Sequence, residues 1–182
     1  MKTLGWLPLL ALLGCNDGDR VENPPTPTPT PPPPTTGLSY DVPKEWKAEK
    51  PASNMRKAQF SVPDCDGQEA AAELIVFHFG DGAGSKEDNL ARARSQMAPA
   101  EDAPEPREET FTSAGGLEVT AVDLTGTYSD QLTGKTLADS RMIWAYVSTP
   151  SGPYFFKLVG PRGTVSDWAD EFTALLRSIA NR

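Results

Sequence analysis

The chain has 182 residues, 25 acidic against 17 basic side chains, one histidine and two cysteines, with a formal net charge of −8. Once a leader and a linker are set aside, about 145 residues remain, which is one core and excludes a multidomain assembly. The acidic balance excludes non-specific attachment to nucleic-acid phosphates or to anionic lipid head groups.

The first element is a leader. "MKTLGWLPLLALLGC" carries one basic residue, Lys2, then an apolar stretch over residues 4–13 that Pro8 interrupts. A spanning helix needs roughly 20 apolar residues, so this segment is too short to cross a membrane and fits the hydrophobic region of a secretory signal. Its end, "LLGC", resembles the lipobox of bacterial lipoproteins. In that family the cysteine thiol receives a diacylglycerol, the signal is cut before it and the new amino terminus is acylated. The resemblance implies residues 1–14 as signal peptide and Cys15 as the lipid attachment site. Each buried CH₂ of an acyl chain contributes about 0.8 kcal/mol, so three chains on one residue anchor firmly. Cleavage removes Lys2 and leaves the mature chain at −9. The next residue, Asn16, stands where an aspartate retains some lipoproteins in the inner membrane, so the outer membrane is preferred. Which side of it the domain faces stays open.

Residues 15–37 are the anchor residue and a linker. "NPPTPTPTPPPPTTG" cannot form a helix or a sheet ladder, because proline lacks the N–H and fixes φ. It is expected as extended polyproline II, a spacer holding the domain off the membrane. Glycosylation of its threonines and recognition of its PxxP spacing by a partner are alternative uses.

Residues 38–182 are the globular domain. "LSYDVP" and "EWKAEK" read as short strands, the second anchored by Trp46, and "MRKAQFSV" as a third. "AELIVFHFG" is apolar on both alternating faces, with Leu74, Val76 and His78 on one and Ile75, Phe77 and Phe79 on the other, which predicts a central strand covered on both sides. "SKEDNLARARSQM" predicts a helix capped by Ser85 and Asp88, with only a thin apolar stripe of Leu90, Ala93, Arg94 and Met97. An acidic, Pro-rich loop follows. "ETFTS" and "LEVTAVDLTGTYSD" flank "AGG", and "SRMIWAYVST" and "PYFFKLVGP" flank "PSG", each a hairpin signal. In the last two strands Met142, Trp144 and Tyr146 alternate with Ile143, Ala145 and Val147, and Tyr154, Phe156 and Leu158 alternate with Phe155, Lys157 and Val159. The final helix, with Thr164 or Ser166 as cap, presents Val165, Trp168, Phe172, Leu175, Leu176 and Ile179 on one face. Strands joined by hairpins and covered on both faces predict an α+β fold, an α/β/α sandwich with a mainly antiparallel sheet.

"FGDGAGSK" sits between strand and helix, where glycines can cradle a phosphate. It lacks the Gly-Lys-Ser/Thr order of a Walker loop and the dinucleotide spacing, and Asp81 repels an anion. "PDCDGQE" offers Asp64, Asp66 and Glu69 to a calcium ion without the rest of a twelve-residue ligand pattern, so a polar turn is expected. Cys65 in that turn has no second cysteine in the exported chain and is expected as a partly buried, inert thiol. His78 has no second histidine with which to share a metal. No G-x-S-x-G elbow occurs, and the abundant acids read as a solvated surface rather than a glycosidic carboxylate pair. Any of Trp46, Tyr128 or Tyr154 that reaches the surface would mark a protein contact.

"MRKAQFSVP", "AELIVFHFGDGAG", "NLARARSQM" and "GPYFFKLVGP", with the amphipathic helix after it, resemble PsbP-like bacterial lipoproteins over nearly all of residues 38–182. That resemblance implies a PsbP-like sandwich and a non-catalytic role in binding or assembly. The expectation is a non-enzymatic, lipid-anchored envelope protein without catalytic residues, metal or cofactor. Its partners would be the membrane, through the anchor, and an envelope protein, with no nucleic acid. The alternative is a module that binds a small ligand or glycan in a cleft between sheet and helix.

Overall fold

The computed structural model describes residues 37–101, 103–130 and 133–182. The expected signal peptide, the lipobox cysteine Cys15 and residues 16–36 of the linker lie outside the described residues. The chain runs through β1 (Leu38–Ser39), β2 (Lys47–Ala48), β3 (Arg56–Val62), β4 (Ala72–His78), a 3-10 turn (Gly80–Ala83), α1 (Lys86–Ser95), β5 (Met97–Pro99), β6 (Arg107–Thr112), β7 (Glu118–Ser129), β8 (Thr136–Val147), β9 (Tyr154–Pro161), α2 (Arg162–Asp167), α3 (Ala169–Ser178) and β10 (Ala180–Asn181).

Eight strands form one sheet in the order β2-β3-β4-β9-β8-β7-β5, with β6 on the same edge of β7 as a second short partner. Every pairing among the described residues is antiparallel. The two hairpins expected around "AGG" and "PSG" are β6–β7 and β8–β9. The pairing of β4 with β9 is long-range and places the two strands most apolar on both faces side by side at the centre.

Alternation then sorts the side chains. One face carries Leu74, Val76, Ile143, Ala145, Val147, Phe156 and Leu158, packed against Val165, Trp168, Phe172, Leu175, Leu176 and Ile179 of the C-terminal helical segment. The other carries Val122, Leu124, Met142, Trp144, Phe155 and Val159, packed against Leu90 and Ala93 of α1 and Met97 of β5. Helices on both faces of an antiparallel sheet make the α+β sandwich that the double-faced strands predict.

Several elements differ from expectation. The final helix is two helices: Trp168 leaves helical geometry (φ −107, ψ 9) between α2 and α3. Its indole is held on both sides, Nε1 donating to Pro63 O at 2.6 Å and the rings meeting Trp46 edge-on at 5.9 Å. Neither Thr164 nor Ser166 caps the segment; both lie inside α2, and Glu69 from the loop before β4 accepts the Thr164 N–H at 2.9 Å. Met97 does not end α1 but opens β5 opposite Tyr128, reaching the same apolar cluster from a strand. β8 begins at Thr136, four residues before "SRMIWAYVST", held there by pairing with the far end of β7. The first strand is two residues that pair with β10 rather than with the sheet, and Arg182 N donates to Gly37 O at 3.0 Å.

Candidate functional site

The thin stripe of α1 has a geometric consequence. Its inward residues are Asn89, Leu90 and Ala93, too little apolar bulk to cover the sheet from β8 to β3. A cleft of about 450 Å³ remains beside it, within the roughly 300–1,000 Å³ of small-molecule sites. The sheet supplies its floor through Phe77, Trp144, Phe155 and Lys157; α1 and its C-cap Gln96 supply one wall with Asn89, Arg92, Ala93 and Ser95; the segment entering β3 and its first residue, Arg56, supply the other with Ala52, Ser53 and Met55. Phe79 continues the wall, its ring 5.9 Å from Phe77 and 5.8 Å from Phe155, which lies 5.4 Å from Trp144. Met55 (49 % exposed) and Phe79 (47 %) are the exposed large hydrophobic side chains among the described residues, and both line this cleft.

Lys157 stands in the floor, between Phe155 and Val159 on the same face of β9, and is only 7 % exposed. Its ammonium donates to Tyr128 Oη at 2.8 Å and to Gln96 Oε1 at 3.3 Å. It also lies 5.2 Å from the centre of the Tyr128 ring and 5.9 Å from that of Phe77. No carboxylate among the described residues is at ion-pair distance from it. Burial pulls the amine below its ordinary value, against the upward influence of Asp130; Arg56 adds to the lowering and Glu73 opposes it. Burial also pushes the Tyr128 phenol upward, so it stays a neutral hydroxyl that can accept from the ammonium.

The remaining polar groups hold the walls in place. Arg56 donates to Glu73 at 2.7 Å and to Gln59 at 2.9 Å. Buried Asn89 donates to Ala83 O at 2.8 Å and Ser85 O at 2.7 Å, fastening the 3-10 turn to α1, and its Oδ1 accepts from Arg92 at 2.9 Å. Arg92 pairs with no carboxylate among the described residues.

A lysine with a lowered folded-state pKa binds fewer protons than the unfolded chain between that pKa and its ordinary 10.5. Stability therefore rises with pH across that window. As pH rises toward 10.5 the stability of the natural chain, measured by urea unfolding, should rise relative to that of Lys157→Met. Parallel curves would show that the amine is not perturbed.

Apart from Cys15, which lies outside the described residues, the candidates weighed from sequence have observed places. Ser85 caps α1, accepting from Asp88 N at 3.1 Å and donating to Asp88 Oδ2 at 2.8 Å, as expected. Lys86 is drawn off to Glu118 at 3.1 Å, and Gly80–Ala83 forms the 3-10 turn. His78 bonds Ser151 O through Nε2 at 3.0 Å and stacks on Tyr154 with ring centres 4.0 Å apart. Asp64 accepts from the backbone N–H groups of Gln68 (2.5 Å) and Glu69 (2.9 Å), and Glu69 is bound to Thr164. These carboxylates shape a turn and brace α2, as a polar turn does. Cys65 is exposed, not partly buried, as are the residues after it through residue 71. Trp46, Tyr128 and Tyr154 are all buried, so none marks a surface contact. The alternative expectation puts a ligand in a cleft between sheet and helix without naming Lys157, although a lone cation inside "PYFFKLVGP" is its visible signal.

No family model and no curated protein sequence matches the chain. Solved structures similar to it include the following two. The crystal structure of PA94 from Pseudomonas aeruginosa, a protein of unknown function, is 12% identical, with a TM-score of 0.47 over 68% of this chain and 81% of that one. The solution structure of cyanobacterial PsbP (CyanoP) from Synechocystis sp. PCC 6803 is also 12% identical, with a TM-score of 0.47 over 80% of this chain and 87% of that one.

Proposed function

We propose that the chain is a lipid-anchored, non-catalytic binding module of the bacterial cell envelope, and that the cleft beside α1 holds a small amphipathic molecule. The observation that carries the binding role is the cleft itself: aromatic walls around a buried ammonium, in a space of small-molecule size. Ligand sites are mostly apolar with a few polar groups that fix orientation, and this one has that make-up. A screen of small amphiphiles by thermal shift tests it, because a ligand that binds only the folded chain raises its melting temperature. Hits should lose their effect in the double variant Met55→Ser/Phe79→Ser, which removes exposed wall and truncates no buried side chain. An absence of hits, or hits that shift both proteins alike, would reject the cleft as the site.

A protein partner is the second reading, favoured by the exposure of Met55 and Phe79 at the same place. It predicts that the double variant loses a crosslinked envelope protein while small molecules leave the natural chain unmoved.

The anchor rests on "LLGC". Metabolic labelling with a fatty acid should mark the natural protein and leave Cys15→Ser unlabelled; equal labelling of both would remove the anchor from this account.

A further inference from the structure

We propose that the occupant of the cleft is a small organic acid, an aromatic or aliphatic body carrying one negative head group seated on the Lys157 ammonium. This rests on the cleft being a binding site and says what it selects.

Charge is the first argument. The chain carries a net charge of −8, yet among the described residues the cleft is lined by Arg56, Arg92 and Lys157 against one carboxylate residue, Asp130. Glu73 offsets Arg56 at 2.7 Å. Lys157 and Arg92 then face Asp130 alone, an excess that matches one negative charge and not two.

The second argument is the donor inventory. An ammonium has three protons. Tyr128 Oη and Gln96 Oε1 take two, and no acceptor among the described residues takes the third. A buried cation with a spare donor and no carboxylate in contact is more costly to the fold than a methionine in the same apolar row. An anion entering the cleft would supply the missing acceptor and counter-charge together, as a charge-assisted hydrogen bond shielded from water.

The third argument is the body. Phe77, Phe79, Phe155 and Trp144 line the cleft with carbon, the Phe77 ring centre 5.9 Å from the ammonium, so a fully polar anion such as inorganic phosphate would be desolvated there without apolar contacts in return.

Two fluorescent dyes that share a ring system, anilinonaphthalene sulfonate and neutral phenylnaphthylamine, separate head group from body. The chain from residue 15 is titrated as Cys15→Ser, so that no acyl chain competes. The sulfonate should bind at least about tenfold more tightly than the neutral dye, the worth of one charge-assisted hydrogen bond. Lys157→Met should remove that advantage and leave the neutral dye unaffected. Arg92→Glu, on the exposed face of α1, should lower sulfonate affinity by an amount that fades with added salt. Neutral dye binding as tightly as the sulfonate, with both weakened by Met55→Ser/Phe79→Ser, would overturn the acid and leave the cleft standing. Dye signals indifferent to that double variant would overturn the cleft and the acid with it.

Discussion

Phe172→Ala should cost the fold about 3–5 kcal/mol, the range for deleting a fully enclosed aromatic side chain. The phenyl ring is fully buried in the core beneath α3 and stacks on Trp46 with centres 6.5 Å apart. Trp46 in turn meets Trp168, whose indole is fixed to Pro63 O. The surroundings therefore cannot collapse into the space: one neighbour is tied to the backbone, and the sheet residues below are held by ladder pairs on both sides. A domain of this size has about 5–15 kcal/mol in total, so the loss is a large share of it. Urea titration should show an earlier midpoint at unchanged slope. A loss under about 1 kcal/mol would mean the ring is not enclosed.

Gly152→Ala should cost about 3 kcal/mol, through backbone and not through core. Gly152 has φ +94, a conformation that L side chains rarely adopt, and a Cβ there would lie 2.3–2.6 Å from the carbonyl carbon, oxygen and Cα of Gly80. Backbone cannot rotate aside as a side chain can, so the β8–β9 turn and the segment after β4 must separate. The bond from His78 Nε2 to Ser151 O spans that junction, and Phe79 of the cleft wall is next to Gly80 in the chain. The substitution should thus loosen ligand and fold together. Gly82→Ala is the control: nothing lies within 4 Å of its added Cβ and its φ is not positive, so its effect should stay within about 0.5 kcal/mol.

The strands apolar on both faces were readable because each face is fixed by residues two apart, and β4, β8 and β9 keep that alternation. The stripe along Val165, Phe172, Leu175 and Leu176 was readable for the same local reason. Pairings of two residues, such as β1 with β10, carry no periodicity to read. Burial of Trp46 depends on α3, more than a hundred residues later, so its exposure could not be decided locally. The cleft shows the limit best. The poverty of the α1 stripe was visible in "NLARARSQM", but that it leaves a cleft over Phe155 and Lys157 follows only from where α1 lies across the sheet.

The pairing of β1 with β10 has a mechanical meaning. Force entering along the chain at Gly37 meets first the bond from Arg182 and the two-residue ladder of Leu38 and Ser39 on β10. These bonds share that load in shear, because it enters at one end of the short ladder and β10 is joined to α3 at the other, and they stand between it and the eight-stranded sheet. Beyond them Asp41 N is held by Ser178 Oγ at 2.8 Å, and the Tyr40 ring is wedged edge-on against Phe156 at 5.1 Å. The junction is a weak link followed by a stop, so a tug on the leading segment would be absorbed at the seam, leaving the cleft on the other face of the sheet undistorted.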